Sequence, residues 1–349
     1  MAVNGQARLA ARGGIGARTR MAALAAEIAA LHQARQMAAG ERPVIFEAQL
    51  TSTGTAVFFV SEVEGARPIV VKMPMQANAA ARLDQETAVL RAIHADRRLG
   101  SWRGLVPQPM ATGSLRGQRY RIESALDGSS ALRYIRDPQR GQALVDAALD
   151  AIGTLHRTTA TAVEIDRDLA TRWVDAQVRE LDSRASLRAS LRPTLERLCK
   201  ELRQGLIGKV VSAGRIHGDF WAGNLLCRNS GGGPDAVTGV VDWDASGGLE
   251  LPLHDLLHLL LSTRCLLTRR ELGEVVREQL LTGRWTAAEL AGLERHGAGP
   301  FDKTLAERQI LLLYWLRQAA MHARQQNLRG GWRYRVWERR NIVPVLSAL

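Results

Sequence analysis

Two short stretches carry the residues best suited to chemistry. The first is His217-Gly218-Asp219-Phe220-Trp221-Ala222-Gly223-Asn224, and the second, further on, is Val240-Val241-Asp242-Trp243-Asp244. Apolar residues lead in at Val210, Val211 and Ile216 and lead out at Leu225 and Leu226, so His217 to Asn224 is expected as a polar loop between two buried segments. Ser230-Gly231-Gly232-Gly233-Pro234 reads as the turn of a hairpin that returns Asp242 towards Asp219 and Asn224. One carboxylate can accept the proton of a hydroxyl. A second carboxylate and an amide oxygen suit magnesium, which takes hard oxygen ligands. Phosphoryl transfer asks for these parts, because most of its catalysis is positioning and charge neutralisation.

The pattern His-x-Asp-x-x-x-x-Asn followed by an Asp after an apolar pair is the catalytic loop and metal turn of protein kinases. With Gly218 in second place and Asp242-Trp243 at the turn, the chain resembles the aminoglycoside phosphotransferase family, kinase-like enzymes that phosphorylate small molecules. The resemblance runs over residues 41–260. It implies an α+β, two-lobed protein-kinase-like fold, with a small antiparallel-sheet nucleotide lobe (41–124) and a larger, mainly helical lobe (125–349); residues 1–40, ahead of the resemblance, read from their own patterning as a tail with an amphipathic helix. It implies ATP and magnesium bound between the lobes, Asp219 as the base, and Asn224 and Asp242 on the metal. Lys72 would steady the inner phosphates and Glu86 would orient Lys72. Ser52, Thr53 and Gly54 would cover the phosphates, and main chain near Glu123 and Ala125 would meet the adenine. His217 and Asp255 would support the loop, Asp255 by hydrogen-bonding its backbone. Asp244 stands where the protein-kinase turn has Gly, and its contact with magnesium is open.

The elements that must position these residues can be read from patterning. Val44–Leu50, Thr55–Val63 and Pro68–Met73 read as strands, with Glu64-Gly65-Ala66-Arg67 as a turn. Ile69-Val70-Val71-Lys72 sets a lysine at the end of an apolar strand. Ala79–Ala95 is helical in pattern, with Leu83, Ala88, Leu90 and Ile93 apolar and Glu86 on the polar side. Residues 51–55 hold one glycine, so their spacing fits an ordinary hairpin turn as well as a phosphate loop. Arg97–Pro109 reads as a loop, and Tyr120–Ser124 as a strand before a turn at Asp127-Gly128. Gly141–Arg157 is a buried helix with His156 as a structural residue, and Glu164–Leu206 a charged helical insertion that in the family walls the acceptor pocket. A helix starts near Pro252; its His254 and His258 lack a third ligand and read as core histidines. Ile310–Ala320 is strongly apolar.

With 349 residues, 46% hydrophobic and 23% charged, the chain reads as globular and soluble. Cys199, Cys227 and Cys265 lie far apart without metal spacing, which fits a reducing cytoplasm. No apolar run is long enough for a membrane span. Residues 1–40 carry five arginines against one glutamate and residues 323–340 six against one, so the ends hold nine of the twelve net positive charges. Met1–Arg20 reads as a mobile tail, with a transit peptide as the sharper alternative, and Met21–Met37 as an amphipathic helix on the first lobe. Gly331–Arg340, with Trp332, Tyr334 and Trp337, reads as a last helix with packed aromatics rather than a nucleic-acid or membrane patch; no nucleic-acid partner is expected. The expected partner is a small hydroxyl acceptor: a sugar, an amino alcohol, an aminocyclitol or a polysaccharide precursor. The competing expectation is an inactive kinase-like scaffold. Oligomeric state is not legible.

Overall fold

The computed structural model describes residues 15–33, 45–51, 54–60, 68–137, 140–184, 187–229, 234–301, 304–326 and 331–349. The expected turns at 64–67 and 230–233, and Ser52 and Thr53 of the phosphate loop, lie outside them. The chain forms two compact units: residues up to Gly128 with Thr238–Asp244, and Ser129–Val237 with Ala245–Leu349.

Alternation organises the first unit. Its sheet runs β1 (Ile45–Leu50), β2 (Thr55–Val60), β3 (Ile69–Pro74), β5 (Gln118–Ser124) and β4 (Pro109–Leu115), in that order and antiparallel where neighbours pair. Successive side chains point to opposite faces of a strand. On one face Ala56, Phe58, Val60, Ile69, Val71, Met73 and Ile122 are buried against Ala25, Ile28 and Ala29 of helix α1 (Ile15–Gln33). On the other, Lys72 stands opposite Arg121 across the β3–β5 ladder, and Glu123 stands opposite Val70. Helix α2 (Ala77–Ala95) buries Ala79, Leu83, Glu86, Val89, Leu90 and Ile93.

Three expectations change here. Helix α1 begins at Ile15, inside the stretch expected as a mobile tail, because Ala and Arg favour helix without any apolar period to announce it. Arg97–Leu105 is not a loop but tight helical turns that bury Leu99 and Trp102. Glu86 is not on a polar face: it is 5% exposed, and cations on the sheet compensate it.

In the second unit, α3 (Arg140–Thr159) buries Leu144, Val145, Ala148, Leu149, Ile152 and Leu155. The insertion contains β7 (Thr161–Glu164), α4 (Arg167–Ala170), α5 (Ala176–Arg184) and α6 (Arg192–Leu206), the last burying Leu195, Leu198, Leu202 and Leu206 along one stripe. Strand β8 (Val210–Ile216) pairs with β7 and with β11 (Gly247–Glu250), and β9 (Leu225–Asn229) pairs with the short β6 (Ser129–Ser130). The chain leaves this unit within β10 (Pro234–Val240). Helices α7 (Leu253–Thr268), α8 (Leu272–Thr282), α9 (Ala287–Arg295), α10 (Glu307–Gln326), α11 (Trp332–Asn341) and α12 (Val343–Leu346) complete it. On α11, Tyr334 is buried and Trp337 stacks on His322 at 5.4 Å between centroids, while Trp332 is 72% exposed. Among the described residues no helix is long and apolar enough to cross a membrane.

Ile28→Ala is expected to lower stability by about 2–5 kcal/mol, since it empties the α1 side of the sheet core. Leu31→Ala, at a position 64% exposed on the same helix, should change it by less than about 0.5 kcal/mol. Urea unfolding of the two variants checks the pair.

Candidate active site

The sequence-predicted residues fall into two groups, one in each unit. In the first unit four charges share the inner face of the sheet. Lys72 Nζ lies 3.0 Å from Glu86 Oε1, 3.1 Å from Glu123 Oε1 and 3.5 Å from Asp242 Oδ1. Arg121, with no exposed surface, reaches Glu86 Oε2 at 2.7 Å and Glu123 Oε2 at 2.5 Å, and bonds Thr87 Oγ1 at 3.0 Å. Two cations and two carboxylates therefore neutralise one another in the interior, with Asp242 at the edge. Burial alone would lower Lys72, but Glu123 and Glu86 outweigh it and hold the ammonium above its ordinary value. Burial pushes Glu86 up, and Lys72 and Arg121 reverse that, keeping the carboxyl below its ordinary range.

Asp242 follows Val240-Val241 as expected, in the left-handed region at φ 63°, with its side chain 49% exposed. Asp244 is occupied by Arg82, whose Nε donates to Oδ2 at 2.7 Å. Burial pushes the Asp244 carboxyl up to about 6, against the pull of Arg82 and with the help of the Asp242 charge. The amide of Gly54 donates to Thr51 O at 3.1 Å, and the amide of Ala125 donates to Pro68 O at 3.1 Å.

In the second unit the loop after β8 is clamped from several sides. The amides of His217 and Gly218 donate to Asp255 Oδ2 and Oδ1 at 2.7 and 2.8 Å, and His156 Nε2 lies 3.0 Å from Oδ2. The Gly218 carbonyl accepts from Arg317 Nη1 at 2.7 Å and from Gln318 Nε2 at 3.0 Å. Gly218 needs to be glycine: its φ is 88°, and a Cβ would stand 2.2 Å from the carbonyl oxygen of Ala245. His217 Nδ1 accepts from the amide of Asp219 at 3.2 Å, a bond within the loop.

Asp219 projects from this loop with its side chain 25% exposed. Asn224 Nδ2 donates to its Oδ2 at 3.1 Å and to its main-chain oxygen at 2.9 Å. His258 Nε2 lies 3.0 Å from Oδ1, and His258 Nδ1 lies 2.9 Å from the hydroxyl of Tyr314. Burial raises the Asp219 carboxyl, but His258, with His217 and Asn224, outweighs it and holds it below the ordinary value. His258 is a core histidine by burial, yet it touches the residue expected to be the base, which sequence reasoning missed. Arg317, Gln318, Arg121 and Tyr314 were also missed, and none stands in a motif. Among the described residues neither ring nitrogen of buried His254 has a hydrogen-bond partner, and burial, together with Arg317, lowers that imidazole to about 3.

Both bonds from Asn224 use its Nδ2, which leaves Oδ1 as the acceptor end of the amide. That oxygen in the second unit and, taken by itself, the half-exposed Asp242 carboxylate in the first are each hard donors of the kind magnesium takes. Among the described residues no cluster of three His, Cys, Asp or Glu could hold a metal unaided.

Residues 48–298 match the family model described as the phosphotransferase enzyme family. The chain belongs to this family. Among curated proteins none matches. Solved structures similar to this phosphotransferase-family chain include aminoglycoside phosphotransferases. Aminoglycoside 2'-phosphotransferase-IIIa, solved with GDP, is 14% identical, with 93% of this chain and 98% of that chain covered at a TM-score of 0.56. Aminoglycoside-3'-phosphotransferase of type VIII is 19% identical over 84% and 98%, with a TM-score of 0.48. The Streptomyces rimosus phosphotransferase APH(3'')-Id, solved with ADP and streptomycin, is 16% identical over 84% and 97%, with a TM-score of 0.47. The first likeness carries the fold: a small antiparallel-sheet N-terminal part with a helical remainder, as in the kinase-like members of this family.

Two outcomes are expected. Arg121→Met leaves two buried carboxylates to one lysine and should cost about 3–5 kcal/mol, while adding Glu123→Leu should recover much of that, as a denaturant double-mutant cycle would measure. His254 stays neutral in the fold and charges in the unfolded chain, so below its ordinary 6.5 wild-type stability should fall with acidity down to about 3. His254→Phe should flatten that dependence by up to about 1.4 kcal/mol per pH unit, measured by unfolding at stepped pH.

Proposed function

We propose that the protein transfers the γ-phosphoryl group of ATP to a hydroxyl of a small molecule. The observation that carries this reading is Asp219: a carboxylate kept ionised, gripped at both oxygens, on a loop whose backbone is fixed by Asp255, in a chain of the phosphotransferase family. In the step, the acceptor oxygen forms a bond to the γ-phosphorus as the bond from that phosphorus to the ADP oxygen breaks. The acceptor's proton passes to Asp219, and ADP leaves with the electron pair. Lys72 is the cation for the inner phosphates, and Glu86 and Glu123 set the place of its ammonium. Asn224 and Asp242 are the oxygens offered to magnesium, which when bound neutralises phosphate charge. The segment Ser52–Gly54 covers the phosphates, and the main chain at Glu123 and Ala125 takes the base. The nucleotide bound to the structural neighbours is GDP in one and ADP in another, so GTP is the comparison nucleotide for any assay.

Two observations favour the second reading, an inactive scaffold. Lys72 is already engaged by Glu86, Glu123 and Asp242, and the loop over the phosphates holds a single glycine. Lys72 must exchange at least its exposed partner, Asp242, for a phosphate if the enzyme reading holds.

Asp219→Ala should cut ADP release with an accepted substrate by about 10²–10⁴-fold while nucleotide binding persists. A coupled assay over a panel of hydroxylated metabolites, run on wild type and variant together with calorimetry of nucleotide binding, measures both. Equal turnover in the two proteins removes Asp219 from the reaction, and wild-type binding without turnover on any acceptor supports the scaffold.

A further inference from the structure

The contact between His258 and Asp219 continues inward, and its direction can be worked out from donor counting. Tyr314 sits on α10 with no exposed surface, and its hydroxyl meets His258 Nδ1 at 2.9 Å. Burial, ahead of the charges of Cys265 and Asp219, holds the phenol well above its ordinary value, so the O–H keeps its proton. A buried O–H needs an acceptor, and His258 Nδ1 is the one it reaches. A neutral imidazole carries one N–H. With Nδ1 accepting from Tyr314, that N–H must be on Nε2, where it faces Asp219 Oδ1 at 3.0 Å. The opposite tautomer would set a lone pair against Asp219 Oδ1, which is itself an acceptor, and leave the phenol proton without an acceptor.

We propose that Tyr314 and His258 form a positioning chain, in which the tyrosine hydroxyl selects the Nε2–H tautomer of His258 and that N–H fixes the rotation of the Asp219 carboxylate. This rests on Asp219 being the acceptor-facing base. Asn224 Nδ2 takes Oδ2 and His258 takes Oδ1, so a torsion that is otherwise broad and nearly two-fold is held from both ends. The two donors come from different places, Asn224 from the loop itself and His258 from α7, which also carries Asp255. The helix that anchors the loop backbone therefore also aims its reactive side chain. His258 touches no reacting atom in this scheme; it acts through Asp219.

The test has two arms on the full chain. In the first, long-range proton–nitrogen NMR of the imidazole at neutral pH should report the Nε2–H tautomer for His258, and Tyr314→Phe should shift it towards a mixture. An Nδ1–H tautomer in the wild type, or a signal unchanged by Tyr314→Phe, overturns the chain whatever the enzyme does. In the second, ADP release from magnesium ATP is followed with water as the acceptor. His258→Leu should lower kcat about 10- to 100-fold with KM for ATP unchanged, and His258→Gln, which places an amide N–H near the position of Nε2, should recover most of the loss. Wild-type kcat in His258→Leu, or Gln performing no better than Leu when both melt like wild type, overturns it. Should the histidine variants not fold, Tyr314→Phe decides through the NMR arm and through a kcat loss without a KM change. If wild type and Asp219→Ala release ADP equally, the phosphotransfer reading fails while the tautomer measurement still stands on its own.

Discussion

A carboxylate with no exposure to water must be met by donors from its own fold, and much of the second unit is arranged to meet one. Asp255 receives the amides of His217 and Gly218 and the ring of His156, so its oxygens are matched without solvent. Burial raises its carboxyl, and His156, His217 and the Gly218 amide together bring it below the ordinary range, so it stays ionised. An unmatched charge there would cost several kcal/mol, so the three partners come as a set with it. Their set determines the path of the loop: α3 contributes His156, α7 contributes Asp255, and the glycine at 218 allows the backbone to turn its amide in and its carbonyl out to Arg317 and Gln318.

The first unit solves the related problem with paired charges. Lys72 and Arg121 against Glu86 and Glu123 is a buried quartet in which each carboxylate meets both cations. Such a cluster adds little net stability compared with apolar side chains, and its use lies in holding an ammonium in one place. A lone lysine on a strand end would be free to move among rotamers. Held between Glu86 from a helix and Glu123 from the next strand, it has a defined position before any ligand arrives.

The loop residues were legible because their chemistry is local: His217, Asp219 and Asn224 lie within eight positions, and a polar run between apolar strands announces a loop. Asp255 was legible through the family resemblance, as the aspartate just after the proline that starts a helix. Glu123 was named only for its main chain. Its side-chain role follows from strand register, since Lys72 faces Arg121 only once β3 and β5 are paired, and no periodicity within one strand states which strand it joins. His258 was hidden for another reason. On an apolar helix a histidine between leucines reads as packing, and its partners Asp219 and Tyr314 are far away along the chain in both directions. The helix start at Ile15 was obscured by composition, as alanine and arginine extend a helix while leaving no stripe to detect. At the far end, Tyr334 and Trp337 pack as expected while Trp332 does not.

The two-faced sheet has a consequence for how this chain finds its fold. Along β3, Ile69, Val71 and Met73 point towards one helix, and Lys72, with Val70 on the same face, towards the other. A slip of one position would drive an ammonium into hydrocarbon and strand three aliphatic groups among carboxylates. Misaligned pairings are thereby penalised twice, and Lys72 proofreads the alignment of the strand that carries it.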